Sequence, residues 1–72
     1  MAVIRNETDS LGVILKNERE AKNYSRELIA DRAKISVRYL TAIENEGRKP
    51  SYKVLFRLIR SIGISADLIF YP

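Results

Sequence analysis

The chain reads as a small all-α domain, and three features of its 72 residues point that way. Apolar residues recur at helical spacing on both sides of a short polar break between Arg26 and Asn45. Serines stand just ahead of the apolar stripes, at Ser25, Ser36, Ser51 and Ser65, where a hydroxyl can accept from the free N–H groups of a first helical turn. No run has the two-residue period of a strand, apart from the short Ala2-Val3-Ile4. Five short helices are predicted.

Residues 1–8 read as a flexible arm and residues 9–72 as the single domain. Asp9 or Ser10 can cap a first helix that runs to about residue 23, with Leu11, Ile14 and Leu15 on its buried side. Asn23 and Tyr24 form a connection. Ser25 caps the second helix, which ends near Ala33 and carries Ile29, Ala30 and Ala33 on one face. Lys34-Ile35-Ser36 supplies a turn and the next cap, and Leu40 and Ile43 then restart the apolar stripe up to Glu44 or Asn45. This is the spacing of a helix-turn-helix. Ala30 falls where the two helices cross, and a larger side chain there would push them apart. Glu46-Gly47-Arg48-Lys49-Pro50 is a loop by composition. Ser51 caps a fourth helix striped by Val54, Leu55, Leu58, Ile59 and Ile62, and Gly63 suits a left-handed residue just past its end. Ser65 caps a last helix reaching about residue 70.

Composition removes several function classes. Seventy-two residues make one domain with a small core, marginally stable unless it oligomerises. Cysteine and histidine are both absent, which excludes disulfides, thiolate or histidine metal sites, and cysteine or serine–histidine catalysis. No cofactor is implied. No apolar run approaches the ~20 residues of a membrane span, and residues 1–10 lack the apolar core of a signal peptide, so the expected location is the cytoplasm. Thirteen lysines and arginines against nine acids give +4 and a pI of about 9.7. That suits a phosphate-bearing partner as well as an ordinary solvated surface. Placement is more informative: Arg48, Lys49 and Lys53 gather around the predicted loop.

The ordered set of these residues resembles the phage-repressor and Cro type of helix-turn-helix regulators, also called XRE-like. Leu11-Gly12 and Arg19 match the first helix of that family, and Ser25-Arg26-Glu27-Leu28-Ile29-Ala30 the start of the second. Ile35-Ser36 match the turn, and Leu40, Ile43, Glu44 and Asn45 the third helix. Pro50-Ser51, Leu55, Leu58, Ile59, Ile62 and Gly63 match the fourth, and Ile64-Ser65-Ala66-Asp67-Leu68 the fifth. The resemblance implies a compact five-helix, lambda-repressor-like DNA-binding domain. Two positions depart from the pattern: Lys34 stands where glycine often closes the second helix, and Glu46 where the loop often has glycine, with Gly47 following.

In such a domain the third helix enters the major groove of double-stranded DNA. With Leu40 and Ile43 turned inward, its outer face carries Val37, Arg38, Thr41 and Ala42, with Ser36 at the tip. Arg38 can make paired hydrogen bonds to guanine O6 and N7, Val37 and Ala42 can touch a thymine methyl, and Thr41 can bond a base or a phosphate. The alternative for Arg38 is a solvated or phosphate-bound surface arginine. Arg26, at the second helix N-terminus, stands where the family usually has a backbone-binding glutamine. Asn45 matches another backbone-binding position, and Tyr39, Arg48, Lys49 and Lys53 lie nearby; Tyr39 can equally pack its ring across the helix pair. The resemblance also implies a structural ion pair between Arg19 and Glu44. A catalytic role for Glu44 has no second carboxylate, histidine or metal set to support it.

Residues 64–72 are rich in apolar side chains, and Leu68, Ile69, Phe70 and Tyr71 are candidate dimer contacts, since the family generally binds DNA as a twofold dimer. The expected function is sequence-specific transcriptional regulation, foremost repression. An antitoxin of the same fold, partnered by a toxin protein, and a helical adaptor without DNA binding are the competing readings. The chain can also be the DNA-binding part of a longer regulator.

Overall fold

The structure, a computed structural model, describes residues 7–65, with side chains from residue 11 onward. Within these residues the chain forms α1 (Glu7–Ala21), α2 (Arg26–Ala33), α3 (Val37–Asn45) and α4 (Tyr52–Ile62), and no strand. The predicted fifth helix and the candidate dimer residues Leu68, Ile69, Phe70 and Tyr71 lie outside the described residues. The first helix begins earlier than expected. Asp9 and Ser10 sit inside α1 and do not cap it, and Glu7 and Thr8 belong to the helix as well as to the predicted arm. At its other end α1 stops at Ala21, two residues short of the predicted end.

Local chemistry sets the remaining boundaries. Ser25, Ser36 and Ser51 each adopt extended backbone and accept from the amide three residues on: Leu28 at 3.0 Å, Tyr39 at 3.0 Å and Val54 at 3.2 Å. Three helix ends close through a left-handed residue. Asn23 (φ 59°), Lys34 (φ 59°) and Gly63 (φ 83°) each reverse the chain so that the next amide reaches back to the last turn. Those bonds are Tyr24 N–H to the Arg19 carbonyl, Ile35 N–H to that of Ala30 and Ile64 N–H to that of Ile59. Lys34 takes this shape at a cost of about 1–2 kcal/mol that glycine would not bear.

The core lies between the four helices. Leu15, Ile29, Leu40, Ile43, Leu58 and Ile62 are fully buried, and Ala30 and Ala33 let α2 approach its neighbours closely. α2 packs on both α3 and α4, and α1 on α3 and α4. Lys22, just past α1, ties the far end of α4: its Nζ donates to the carbonyls of Ile62 at 2.8 Å and Gly63 at 2.9 Å. A cation at these last carbonyls complements the negative end of the α4 dipole.

Candidate nucleic-acid interface

α3 presents its N-terminal end to solvent. Ser36, Val37 and Arg38 are exposed, while Leu40, Ile43 and Glu44 point into the protein. Arg38 has no hydrogen bond or ion pair among the described residues, so its guanidinium fork is available to an outside acceptor. Thr41 is half-buried and its Oγ1 donates to the Val37 carbonyl at 2.9 Å. Its hydroxyl proton is therefore committed. It can still accept, for example from an adenine or cytosine amino group, but cannot donate to a phosphate without breaking that bond.

Ala42 departs from the expected open face. It retains only 9% of its surface. The Glu46 amide makes the last helical bond to the Ala42 carbonyl at 2.9 Å, and the loop then turns back so that the Arg48 amide reaches the same carbonyl at 3.2 Å, bringing Arg48 over this part of α3. Ala42 becomes part of a groove of about 270 Å³ lined also by Ser36, Arg38, Tyr39, Glu46 and Arg48. Arg48 lies over the Tyr39 ring, 4.8 Å from its centroid. This cation–π contact limits the wandering of a side chain that would otherwise be freely solvated. Half-buried Tyr39 packs against the hydrophobic core, as its alternative reading required. Asn45 at the C-terminal end of α3, Lys49 in the loop after it and Lys53 in the first turn of α4 are exposed. Glu46 was not among the candidate site residues. It caps the end of α3 four residues after Ala42 and eight after Arg38, and so falls on their stripe of the helix.

A buried ionic cluster holds α3 in place. Arg19 Nε donates to Glu44 Oε2 at 2.8 Å and Arg19 Nη2 to Glu44 Oε1 at 3.1 Å. The pair is bidentate, and the Glu44 side chain has no exposed surface. Arg19 Nη1 also donates to the Tyr24 carbonyl at 2.8 Å, anchoring the α1–α2 connection. Hydrogen bonding to Glu44 raises the Arg19 pKa above its ordinary value, against an opposing effect of burial, with nearby carboxylate charges adding to the rise. The guanidinium therefore stays charged at any pH at which the domain folds. A third member was not foreseen: Arg26 Nε donates to Glu44 Oε1 at 3.1 Å. Eighteen residues separate Arg26 from Glu44, and no sequence spacing signals the contact. The terminal NH₂ groups of Arg26 make no hydrogen bond among the described residues, so the side chain can serve Glu44 and still meet a phosphate. Among the described residues, every buried side-chain nitrogen and oxygen has a partner.

The sequence and the fold match those of known proteins. The profile of the helix-turn-helix family matches residues 15–69. An uncharacterized HTH-type transcriptional regulator of Mycobacterium tuberculosis is 30% identical over 59 residues, which is 82% of this chain and 42% of that protein. The chain thus spans less than half the length of the curated relatives it matches. Among solved structures, the clp gene regulator ClgR of C. glutamicum superimposes with a TM-score of 0.82 at 24% identity, over 92% of this chain and 87% of that one. The restriction-modification controller protein C.AhdI of Aeromonas hydrophila gives 0.80 at 23% identity, over 89% and 97%. C.Esp1396I bound to a 25-base-pair operator site gives 0.82 at 19% identity, over 93% and 88%. At these identities the likeness concerns the fold, and it is the profile match over most of the chain that decides membership: this chain belongs to the helix-turn-helix family of transcriptional regulators, of the XRE or Cro/C1 type.

Proposed function

We propose that this chain is a cytoplasmic, sequence-specific DNA-binding module that inserts α3 into the major groove and acts as a repressor by occupying its operator. The observation that carries this reading is the contrast between the two faces of α3. Its inner face is locked by Leu40, Ile43 and the bidentate Glu44 pair, and its outer face ends in an unpartnered Arg38 beside the Ser36 cap. A rigidly seated helix with a free arginine fork at its N-terminal end suits base readout. Arg26, Asn45, Arg48, Lys49 and Lys53 flank that face with groups suited to phosphates, and Tyr39 holds Arg48 in place.

Two kinds of contact should separate under substitution. Lys49→Ala is expected to weaken binding to all DNA sequences about equally and to flatten the salt dependence, because phosphates carry no sequence information. Arg38→Ala is expected to lose roughly 1–3 kcal/mol of preference at one base pair per half-site. Titrations of each variant against operator and random duplex at several salt concentrations make the comparison. Equal losses on both duplexes for Arg38→Ala would reduce it to a backbone contact.

The binding unit is proposed to be a twofold dimer. The open surface of α3 offers few hydrogen-bonding groups, so one copy discriminates weakly against a genome of competing sites. Two copies reading the same half-site place their recognition helices about 34 Å apart, one turn of DNA. The expected operator is near-palindromic, with half-site centres about 10 base pairs or a multiple of that turn apart. Selection of bound duplexes from a random library reads this directly. Recovery of a single unpaired half-site, bound by one copy at full affinity, defeats the dimer.

A further inference from the structure

A second basic site lies where α2 and α4 end side by side. Arg32 and Lys34, from the last turn and cap of α2, and Arg57, Arg60 and Ser61, from α4, line a cleft of about 350 Å³. Four cations thus share one concavity, as many as the net charge of the whole chain. None of the four has a carboxylate within ion-pair distance among the described residues, where the ion pairs involve Arg19 and Arg26 instead.

The bland explanation is that these are ordinary last-turn cations serving helix dipoles. The magnitudes do not cover it. Two helix C-termini present together roughly one negative charge. That leaves about three positive charges uncompensated, and Lys22 already holds the final carbonyls of α4. One of the four side chains, that of Arg32, is also positioned rather than simply solvated. Arg32 Nη1 donates to the Ser61 carbonyl at 3.3 Å, and its guanidinium lies 5.3 Å from the Tyr24 ring centroid. Ser61 Oγ donates to the Arg57 carbonyl at 2.6 Å, which accounts for the one neutral polar group in the cleft. The left-handed closure of α2 fixes the backbone from which the exposed Lys34 side chain projects.

From this arrangement we infer that the α2–α4 cleft binds a small polyanion carrying at least two phosphoryl groups. Arginine forks pair with phosphoryl oxygens two at a time, and three forks with one ammonium match a di- or triphosphate better than a lone carboxylate. The volume lies at the lower end of the range for small-molecule sites. Arg26 stands at the opposite end of α2 from this cleft, and none of the proposed phosphate contacts of the α3 end lines it. The inference therefore holds or fails independently of the proposed DNA contacts.

Calorimetric titration of the whole chain with inorganic triphosphate, at about 0.15 M salt, tests it. Saturable one-to-one binding is expected. The double variant Arg57→Gln with Arg60→Gln should raise Kd at least tenfold, whereas Lys49→Gln with Lys53→Gln, which removes the same charge elsewhere, should change it less than twofold. Arg57→Lys with Arg60→Lys keeps the charge and removes the forks, and should fall between. Circular dichroism on each variant establishes that it is folded. No saturable binding by the folded wild-type chain overturns the inference, as does an equal loss in both glutamine pairs, which would mean binding by net charge alone. If the Arg57 and Arg60 pair instead lowers DNA affinity and flattens its salt slope, with triphosphate not bound, the cleft is a DNA backbone contact and the small-anion site is refuted.

Discussion

Glu44→Ala is expected to be strongly destabilising, and more damaging than Arg19→Ala. Among the described residues Glu44 is the carboxylate that hydrogen-bonds both Arg19 and Arg26, and its side chain is fully enclosed, whereas Glu20, 3.8 Å from Arg19, is exposed. Removing it takes the bidentate partner from the Arg19 guanidinium, leaving only the Tyr24 carbonyl and the more distant Glu20 among the described residues, and a side chain that keeps 7% of its surface cannot rehydrate in place. Breaking a buried pair in this way costs about 3–5 kcal/mol. Domains of this size have little stability in hand, and each kcal/mol lowers Tm by about 4–8 °C. Arg19→Ala leaves Glu44 with one remaining partner, because Arg26 still donates to Oε1, and its cost should be smaller. The double variant should lose less than the sum of the two single losses, with a coupling of roughly 0.5–3 kcal/mol. Thermal or urea unfolding of the four proteins measures all of this. Strict additivity would show that the pair contributes nothing as a pair, and Arg19→Ala exceeding Glu44→Ala would remove Arg26 from the cluster.

That asymmetry was not legible in the sequence, and the reason is geometric. Helix boundaries could be read wherever a side chain acts on its own backbone. Ser25, Ser36 and Ser51 announce their helices because a hydroxyl three residues ahead of an amide caps it in any protein. Gly63 announces an ending for the same local reason. The start of α1 was misplaced because Asp9 and Ser10 look like caps yet lie inside the helix. Asn23 carries no such signal beyond its place in a connection, although it takes the same left-handed turn as Lys34 and Gly63.

The candidate site divides along the same line. The exposure of Ser36, Val37 and Arg38 follows from helical periodicity alone. The burial of Ala42 does not, since it depends on where the chain goes after Asn45. The Arg26–Glu44 bond and the clustering of Arg32, Lys34, Arg57 and Arg60 depend on how α2 sits against α3 and α4. A one-dimensional pattern carries faces of helices well and contacts between helices poorly.

Gly12, which the family resemblance marks, is required by the close approach of α1 to α3. Alanine for glycine inside a free helix stabilises it by about 1 kcal/mol. Here the opposite sign is expected. A Cβ on Gly12 would stand 2.5 Å from the Ile43 carbonyl oxygen and 3.1 Å from that of Glu44. Both obstacles are backbone of the last turns of α3, so no side chain can swing aside, and α1 and α3 must separate. Forcing extra carbons into a packed interface costs about 1–3 kcal/mol, occasionally more. Gly12→Ala should therefore lose stability despite its better helix propensity. Gly12→Val, with more bulk and almost no propensity gain over glycine, should lose about 3 kcal/mol. The displaced segment carries Glu44 and, two turns back, Arg38, so the shift has a second readout. At a temperature where Gly12→Ala is fully folded, its preference for operator over random DNA should fall if Arg38 makes the base contact proposed for it, because α3 then presents that side chain at a different angle. A Gly12→Ala protein more stable than the wild type, with unchanged preference, would mean that the α1–α3 gap opens at no cost and that glycine is not needed there.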